Sequence, residues 1–230
     1  MTIPRQPFII GKFMSNQSSA ARSAAPPKGR VRQNVESFAL AIFFALVVRS
    51  SVVEAFWVPS GSMLPTIQIG DHLFVNKLAY ALHVPFTDYE VLRWGHPKRG
   101  DIIVFLSPPS NPGPNGERID LIKRVIAVGG DTLEIRDKKI LINGEQVADA
   151  DAHFLDEAHR SIAKRDNLGP ITVPSGKLFM MGDNRDFSHD SRFWGFADET
   201  DVKGQATFIY WSREAGSWTP RWDRFLHMIR

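Results

Sequence analysis

The residues of this chain best suited to chemistry are two serines that flank one glycine in a proline-bounded segment. Ser60 and Ser62 lie within Val58-Pro59-Ser60-Gly61-Ser62-Met63-Leu64-Pro65-Thr66. Proline fixes the backbone φ near about −65°, and glycine allows backbone shapes that other residues avoid. A segment constrained in this way can hold a hydroxyl and backbone N–H groups in fixed positions, as a serine nucleophile requires. The same residue types also dominate ordinary turns, so the segment predicts either a nucleophile or a simple turn.

A lysine inside an apolar run is the second candidate. Lys123 lies in the run 121–128, which is otherwise mostly Leu, Ile, Val and Ala. If the run is a strand, the lysine side chain points either to solvent or into the protein. In the second case desolvation lowers the pKa of the amine, and the neutral amine can act as a base for a serine hydroxyl. The sequence pattern alone does not bring Ser62 and Lys123 together across 61 residues.

The segment 182–195 is dense in Asp, Asn, Ser and Arg. A calcium-loop interpretation fails because an arginine occupies the third position and no glycine occupies the sixth, so no metal site is expected. The segment is instead predicted to be a hydrogen-bonded loop with an Asp190–Arg192 ion pair, whose hydroxyl groups are suited to orienting a catalytic amine. A Ser-His-Asp triad using His72 or His189 is less favoured, since the chain has no Gly-x-Ser-x-Gly nucleophile elbow.

Positive charge is concentrated at the N-terminus. Residues 1–35 carry six Lys and Arg and no acidic residue, whereas the other 195 residues carry 22 basic and 25 acidic side chains. The first segment is also rich in Ser, Ala and Pro, which predicts a disordered basic tail. The folded part has no basic excess, so no nucleic acid partner is expected. The absence of cysteine excludes disulfides, cysteine catalysis and thiolate metal sites.

An apolar stretch follows the basic tail. A helix over Phe38–Trp57, inside a predicted transmembrane segment of residues 36–57, has 20 residues and a length of about 30 Å, which matches a hydrocarbon core. Arg49 near its middle costs about 2.5–3.5 kcal/mol on insertion scales. The preceding charges place the N-terminus in the cytoplasm and residues 58–230 on the outer face. Two other interpretations are a cleaved export signal over residues 1–55 and a buried core helix.

From Val58 onward, short apolar runs alternate with turn residues, a pattern typical of β-strands. Asn143-Gly144 between two such runs is a two-residue hairpin signal. These features predict a mainly β domain, a partly open barrel or sandwich, with a polar excursion that includes a short helix around Asp156–Lys164. The predicted strands are His72–Lys77, Asp101–Leu106, Leu121–Val128, Thr132–Ile135, Lys139–Ile142, Lys177–Met181 and Ala206–Trp211.

Five sequence blocks occur in one order along the chain: PSGSMLPT at 59–66, GD at 70–71, KRGDIIVF at 98–105, KRV at 123–125 with GD at 130–131, and GDNRDFSHDSRFWG at 182–195. Each block alone is a weak signal, but the ordered set is highly specific. In this set the chain resembles the type I signal peptidases of bacteria. The resemblance implies a membrane-bound serine endopeptidase that removes N-terminal signal peptides from exported preproteins, cuts after small residues (Ala-x-Ala) and needs no cofactor.

The resemblance also implies roles for individual residues. Ser62 is the implied nucleophile and Lys123 the general base, while the Ser60 hydroxyl and the Ser62 N–H form the oxyanion hole. Ser188 is implied to bond the lysine amine. Asp190 and Arg192 are implied to support the loop that carries it. Shallow substrate pockets, which exclude side chains larger than alanine, are implied at Val58, Met63, Ile67, Leu121 and Ile122.

The implied partners are exported preproteins, membrane lipid and nearby protein-export machinery. The implied location is the cytoplasmic (inner) membrane, crossed once, with the peptidase domain on the periplasmic or outer face. Two alternatives are a specialised Ser/Lys processing peptidase and a non-enzymatic, membrane-tethered β-module. Leu121 replaces an aromatic residue that is frequent in the family, and roughly residues 136–176 correspond to its variable insertion. Core packing is the favoured role, and an interfacial patch the alternative, for Trp211, Trp218 and Trp222.

Overall fold

The computed structural model describes residues 29–87, 89–154 and 163–229. Within them the chain forms one long helix followed by short strands, so the mainly β prediction is confirmed. The helices are α1 (Arg30–Ser51), α2 (Ala163–Asp166) and α3 (Ser191–Trp194), with 3-10 turns at Lys77–Ala79, Glu199–Asp201 and Trp222–Arg224. The strands are β1 (Val53–Trp57), β2 (Asp71–Asn76), β3 (Ala81–His83), β4 (Glu90–Arg93), β5 (Ile102–Leu106), β6 (Asp120–Val128), β7 (Thr132–Arg136), β8 (Lys139–Ile142), β9 (Glu145–Gln146), β10 (Leu168–Thr172), β11 (Lys177–Met181), β12 (Ala197–Asp198), β13 (Val202–Ser212) and β14 (His227–Met228).

Helix α1 differs from the predicted span at both ends. It begins at Arg30, inside the predicted disordered tail, whose residues 1–28 lie outside the described part. It ends at Ser51, and the predicted end at Trp57 is wrong because Val53–Trp57 pair antiparallel with β2 as strand β1. Arg49 therefore lies in the last turn of the helix and not near its middle. The 22-residue helix is long and apolar enough to cross a membrane.

The chain divides within α1 into two compact units, Met1–Ala41 and Ile42–Arg230. The described part of the first unit is the exposed beginning of α1. The second unit contains every described strand, and its largest sheet runs in the order β1-β2-β13-β5-β6-β11-β12, with β14 added to β13. Each of these pairings is antiparallel. This sheet carries β1 at one edge and places β6 in its interior, between β5 and β11.

The predicted strands are all present, with small shifts at their ends that are largest at the start of β13. Alternation explains the detection of β2, because Asp71, Leu73 and Val75 are buried while the residues between them are less so. The sequence prediction missed β1, β3, β4, β10, β12 and β14, and it anticipated β9 only as the second arm of the predicted hairpin. Most of these are short, and β1 follows the apolar helix so closely that its residues extend the same hydrophobic run.

A second sheet, in the order β10-β7-β8-β9, contains most of the predicted insertion. The predicted hairpin is confirmed: Asn143 and Gly144 have φ values of 54° and 85°, which a two-residue type I′ turn requires. The insertion predicted at roughly 136–176 begins at the last residue of β7, so it is part of this sheet and not a separate excursion. The helix predicted around Asp156–Lys164 falls mostly outside the described residues, and α2 covers only its end.

The C-terminal tryptophans do not pack as expected. Trp218 is 86% exposed and Trp222 is 69% exposed, so the favoured core-packing interpretation is wrong for these two residues. Trp222 lies edge-on to the half-buried Trp211, with ring centroids 5.9 Å apart. The guanidinium of Arg213 lies 5.0 Å from the centre of the Trp218 ring. The segment after β13 follows the surface of the domain, which leaves these rings in solvent.

Candidate active site

Ser62 and Lys123 meet at the centre of the candidate site. Ser62 lies in the loop that joins β1 to β2, and Lys123 lies in β6, where the residue is only 4% exposed. Lys123 Nζ lies 2.6 Å from Ser62 Oγ and also donates to the carbonyl oxygen of Ile122 at 3.0 Å. The fold therefore brings into hydrogen-bond contact two residues that are 61 positions apart in the sequence.

Burial lowers the pKa of the Lys123 amine from 10.5 to about 8. The carboxylates of Asp190 and Asp183 act in the opposite direction, since negative charge favours the ammonium form, but desolvation is the larger effect. With a pKa of about 8, roughly one amine in ten is uncharged at pH 7. A neutral amine within hydrogen-bond reach of a hydroxyl can remove the hydroxyl proton, so the pair is equipped for nucleophilic catalysis.

The loop over residues 182–190 holds the backbone of the nucleophile segment. The Asn184 N–H donates to the carbonyl oxygen of Ser62 at 3.1 Å, and the Asn184 side-chain amide donates to that of Gly61 at 3.0 Å. Gly182 lies so close to this segment that a Cβ at position 182 would collide with the carbonyl oxygen of Ser62. Two hydrogen bonds and one close approach thus fix where the Ser62 hydroxyl lies.

A buried ion pair supports the same loop from below. Asp183 is fully buried and accepts two hydrogen bonds of 2.8 Å from Arg124, the residue after Lys123. It also accepts a hydrogen bond of 2.6 Å from the Thr66 hydroxyl, which belongs to the nucleophile loop. Asp183 therefore ties β6, loop 182–190 and the nucleophile loop together. None of these three residues was predicted as a site residue, although all lie in the sequence blocks that carried the resemblance.

The predicted Asp190–Arg192 ion pair is confirmed. Arg192 donates to both carboxylate oxygens of Asp190 at 2.8 Å, and both side chains are buried. Asp190 also caps the start of α3 and accepts the Gly182 N–H at 3.1 Å. Arg192 in turn donates to the carbonyl oxygen of Arg185 at 2.7 Å. The pair therefore closes loop 182–190 on itself.

Ser188 occupies a different place from the one predicted. It is buried, but its hydroxyl makes no hydrogen bond to any residue that the structure describes, Lys123 included. The hydroxyl instead packs against Gly182, next to the backbone of Ser62. The contact that orients the amine here is the carbonyl oxygen of Ile122. The expected hydrogen bond from Ser188 to the lysine is absent from this arrangement because the side chain is turned toward Gly182.

Two cavities meet at the Ser62–Lys123 pair, and Ser60, Leu121 and Lys123 line both of them. The first has a volume of about 350 Å³ and extends along β1 and the start of β6 between mostly apolar walls. The second, about 420 Å³, contains the Ser62–Lys123 pair. Its other distinctive wall residues are Asn111, Asn184, Phe187 and His189.

The predicted pocket residues separate into two groups. Val58, Leu121 and Ile122 line the 350 Å³ cavity. Met63 and Ile67 line neither of the two cavities and pack in the hydrophobic core beneath the Ser62 loop. The turn after Ser62 directs these two side chains inward, so they support the loop, and their role in a substrate pocket stays a prediction. Phe56, Trp57 and Ile119 line the cavity without having been predicted.

The groups assigned to an oxyanion hole lie where the two cavities meet. Ser60 is exposed and lines both cavities. The backbone N–H of Ser62 makes no hydrogen bond to another described residue, and Ser62 also lines the second cavity. Two donors beside the nucleophile are thus available to a ligand.

Comparisons with known proteins match this chain to one family. The family described as "Signal peptidase, peptidase S26" matches residues 31–211. Signal peptidase I of Pseudomonas aeruginosa is 37% identical over 77% of this chain and 71% of that protein, and signal peptidase I of Aquifex aeolicus is 32% identical over 86% and 91%. A solved structure of a signal peptidase I from Enterococcus faecalis V583 is 32% identical, with a TM-score of 0.37, over 47% of this chain and 95% of that one.

Proposed function

The chain belongs to the signal peptidase family, peptidase S26, whose activity is the removal of signal peptides from preproteins, and we propose that it performs this reaction with Ser62 as nucleophile and Lys123 as general base. The observation that carries the proposal is the contact of 2.6 Å between Ser62 Oγ and a buried lysine amine. Burial keeps part of that amine neutral at neutral pH, as proton removal requires.

The reaction follows from this geometry in two stages. Ser62 Oγ attacks the scissile carbonyl carbon while its proton passes to Lys123 Nζ, and the carbonyl oxygen becomes an oxyanion. The Ser60 hydroxyl and the Ser62 N–H donate to that oxyanion, a type of interaction worth about 2.7–4 kcal/mol per donor in comparable sites. The Lys123 ammonium then gives its proton to the leaving amine. In the second stage the neutral amine activates a water molecule, which hydrolyses the acyl-enzyme ester.

The open strand edges beside the pair suit an extended peptide. Among the described strands, β1 pairs only with β2. The first residues of β6, Asp120–Lys123, pair with β5 on one side, while β11 joins β6 only from Arg124 onward. A peptide that enters between these edges can form main-chain hydrogen bonds with them. The 350 Å³ cavity then receives its side chains, and its mostly apolar walls suit the alanine side chains of an Ala-x-Ala sequence.

The membrane location rests on α1 and on exposed aromatic side chains. α1 has the length and composition of a single span, and six basic residues in positions 1–35 favour a cytoplasmic N-terminus. Trp57, Trp218 and Trp222 are each more than half exposed, and tryptophan is enriched at membrane–water interfaces. The catalytic domain thus acts on the outer face of the cytoplasmic membrane, against lipid and near the export machinery that delivers preproteins.

Cleavage of a preprotein by the full-length chain in detergent micelles tests the Ser62/Lys123 mechanism. Ser62→Ala and Lys123→Met should each lower kcat at least about 1,000-fold, because removal of a single member of a catalytic unit already removes nearly all of the activity. Ser175→Ala and Lys139→Met, at exposed positions outside both cavities, are the matched controls. Turnover near the wild-type rate in either active-site variant would contradict the assignment.

A further inference from the structure

The walls of the 420 Å³ cavity include two exposed rings that the proposed mechanism does not use. Residues 186–190 alternate in burial: Ser188 and Asp190 point into the protein, while Phe187 and His189 are exposed. The segment leaves the turn that Phe187 closes onto Asn184, and from there buried and exposed side chains follow one another. Both exposed rings therefore lie on the side of the loop that lines the cavity with the Ser62–Lys123 pair.

The position of these rings is fixed by the loop beneath them. The Phe187 N–H donates to the carbonyl oxygen of Asn184 at 3.1 Å, and the carbonyl oxygen of His189 accepts from the Trp194 indole at 3.3 Å. The His189 ring also stacks on Phe193, with centroids 5.4 Å apart. Phe187, in contrast, is 67% exposed. A large, mostly exposed apolar ring that lines the same cavity as the Ser62–Lys123 pair is suited to contact a ligand.

The two cavities cannot serve the same part of a substrate. A peptide whose scissile carbonyl lies at Ser62 must extend from that point in both directions. The 350 Å³ cavity, bounded by the open edges of β1 and β6, takes the residues before the cut, as proposed above. The 420 Å³ cavity lies on the other side of their shared wall at Ser60, Leu121 and Lys123. It is therefore the path of the residues that follow the cut.

We propose that Phe187 and His189 determine specificity for the first residues of the mature protein, favouring a large apolar or aromatic side chain immediately after the cleavage site. Phe187 offers an exposed apolar ring and His189 an aromatic ring that stacks on Phe193, and the remaining distinctive wall groups, Asn111 and Asn184, are uncharged amides. Among the described residues that line this cavity there is no carboxylate, so none of them can form an ion pair with a basic side chain of the substrate. This inference rests on the proposed function, since it assumes that the acyl-enzyme forms at Ser62.

The test compares preproteins that differ only in the residue after the cut, Phe or Ala. For the wild-type full-length enzyme in micelles, kcat/KM should be about tenfold higher with Phe, the lower end of what an apolar contact of this kind provides. Phe187→Ala should reduce this ratio to about two or less, His189→Ala should reduce it in part, and Phe187→Tyr should restore it. The ratio is internal to each variant, so it does not depend on how much correctly folded enzyme is present.

Phe86→Ala is the matched control, because Phe86 is 68% exposed and does not line either cavity. It should leave the Phe/Ala ratio unchanged. A second set of preproteins, which vary the residue before the cut, should respond equally in wild type and Phe187→Ala. Equal Phe/Ala ratios in wild type and Phe187→Ala would overturn the inference while leaving the Ser62/Lys123 mechanism intact. Loss of all cleavage dependence on Ser62 would instead overturn the proposed function.

Discussion

Replacement of Lys123 by methionine should stabilise the protein at neutral pH while it abolishes catalysis. Methionine has nearly the same length as the aliphatic part of lysine but has no titratable group. It therefore suits a position at which the residue is only 4% exposed. The wild-type amine has a folded pKa of about 8 against an ordinary value of 10.5. Between these pH values the unfolded chain keeps a proton that the folded chain has released. The free energy of unfolding therefore rises with pH across this window, and the full cost of burial is present below pH 8.

The size of the effect follows from the same two values. A gap of about 2.5 pH units corresponds to about 3 kcal/mol, at about 1.4 kcal/mol per pH unit. The unfolding free energy of Lys123→Met minus that of wild type should therefore fall by about 3 kcal/mol between pH 7 and pH 11. Lost contacts of the amine with Ser62 and Ile122 add an offset to this difference but contribute little to its slope.

Urea unfolding of the full-length chain in micelles, followed by tryptophan fluorescence at half-unit pH steps, measures this difference. Lys139→Met, at an exposed position of β8, reports how much of the pH response comes from losing any lysine. Wild-type kcat/KM should rise about tenfold per pH unit below pH 8 and level off above it, because the free enzyme must carry a neutral amine. A stability difference that is constant with pH, together with a pH-independent kcat/KM, would refute the desolvated-lysine argument.

Three further changes test the support around the site. Gly182→Ala should lower kcat at least about 100-fold, since the new Cβ displaces the Ser62 carbonyl and misplacing a reacting group by about 1 Å has this effect; single-turnover kinetics would detect it. Asp183→Asn should lower the free energy of unfolding by about 3 kcal/mol, because Arg124 loses its fully buried carboxylate partner; a loss below about 1 kcal/mol in urea unfolding would contradict this. Gly144→Ala should cost about 1 kcal/mol through its φ of 85° and leave cleavage of a preprotein at the wild-type rate, which an activity assay on the same samples checks.

The strands that the sequence predicted are either apolar runs that are buried along most of their length, such as β5 and β11, or segments whose side chains alternate in burial. β2 and β8 each show this pattern over their whole length. β1 was missed for a physical reason: Val52 and Val53 continue the apolar run of α1, and only pairing with β2 decides that the helix stops at Ser51. Hydrophobic content therefore predicted the anchor but not its end, because tertiary pairing overrides local preference there.

The candidate site shows the same division between local and distant partners. The Asp190–Arg192 pair was predictable because the two residues are separated by a single position. The Asp183–Arg124 pair spans 59 positions, and no pattern in a single sequence shows that they meet. Ser62 and Lys123 were joined only by the resemblance to a family. Local spacing indicates which residues have side chains suited to catalysis, whereas the antiparallel pairing of β6 with β5 and β11 decides which of them are in contact.

The pairing of charges around Lys123 explains how a lysine stays partly neutral beside two carboxylates. Asp183 and Asp190 both raise the pKa of the amine, yet neither accepts a hydrogen bond from it among the contacts described here. Each carboxylate instead accepts two hydrogen bonds of 2.8 Å from an arginine. The positive charge of that arginine largely compensates the carboxylate charge and so weakens its effect on the pKa of the lysine. Desolvation then prevails. The arginine that accompanies each aspartate thus does more than hold the loop: removing either arginine would free a buried carboxylate to bind the ammonium form and raise the pKa of the base away from neutrality.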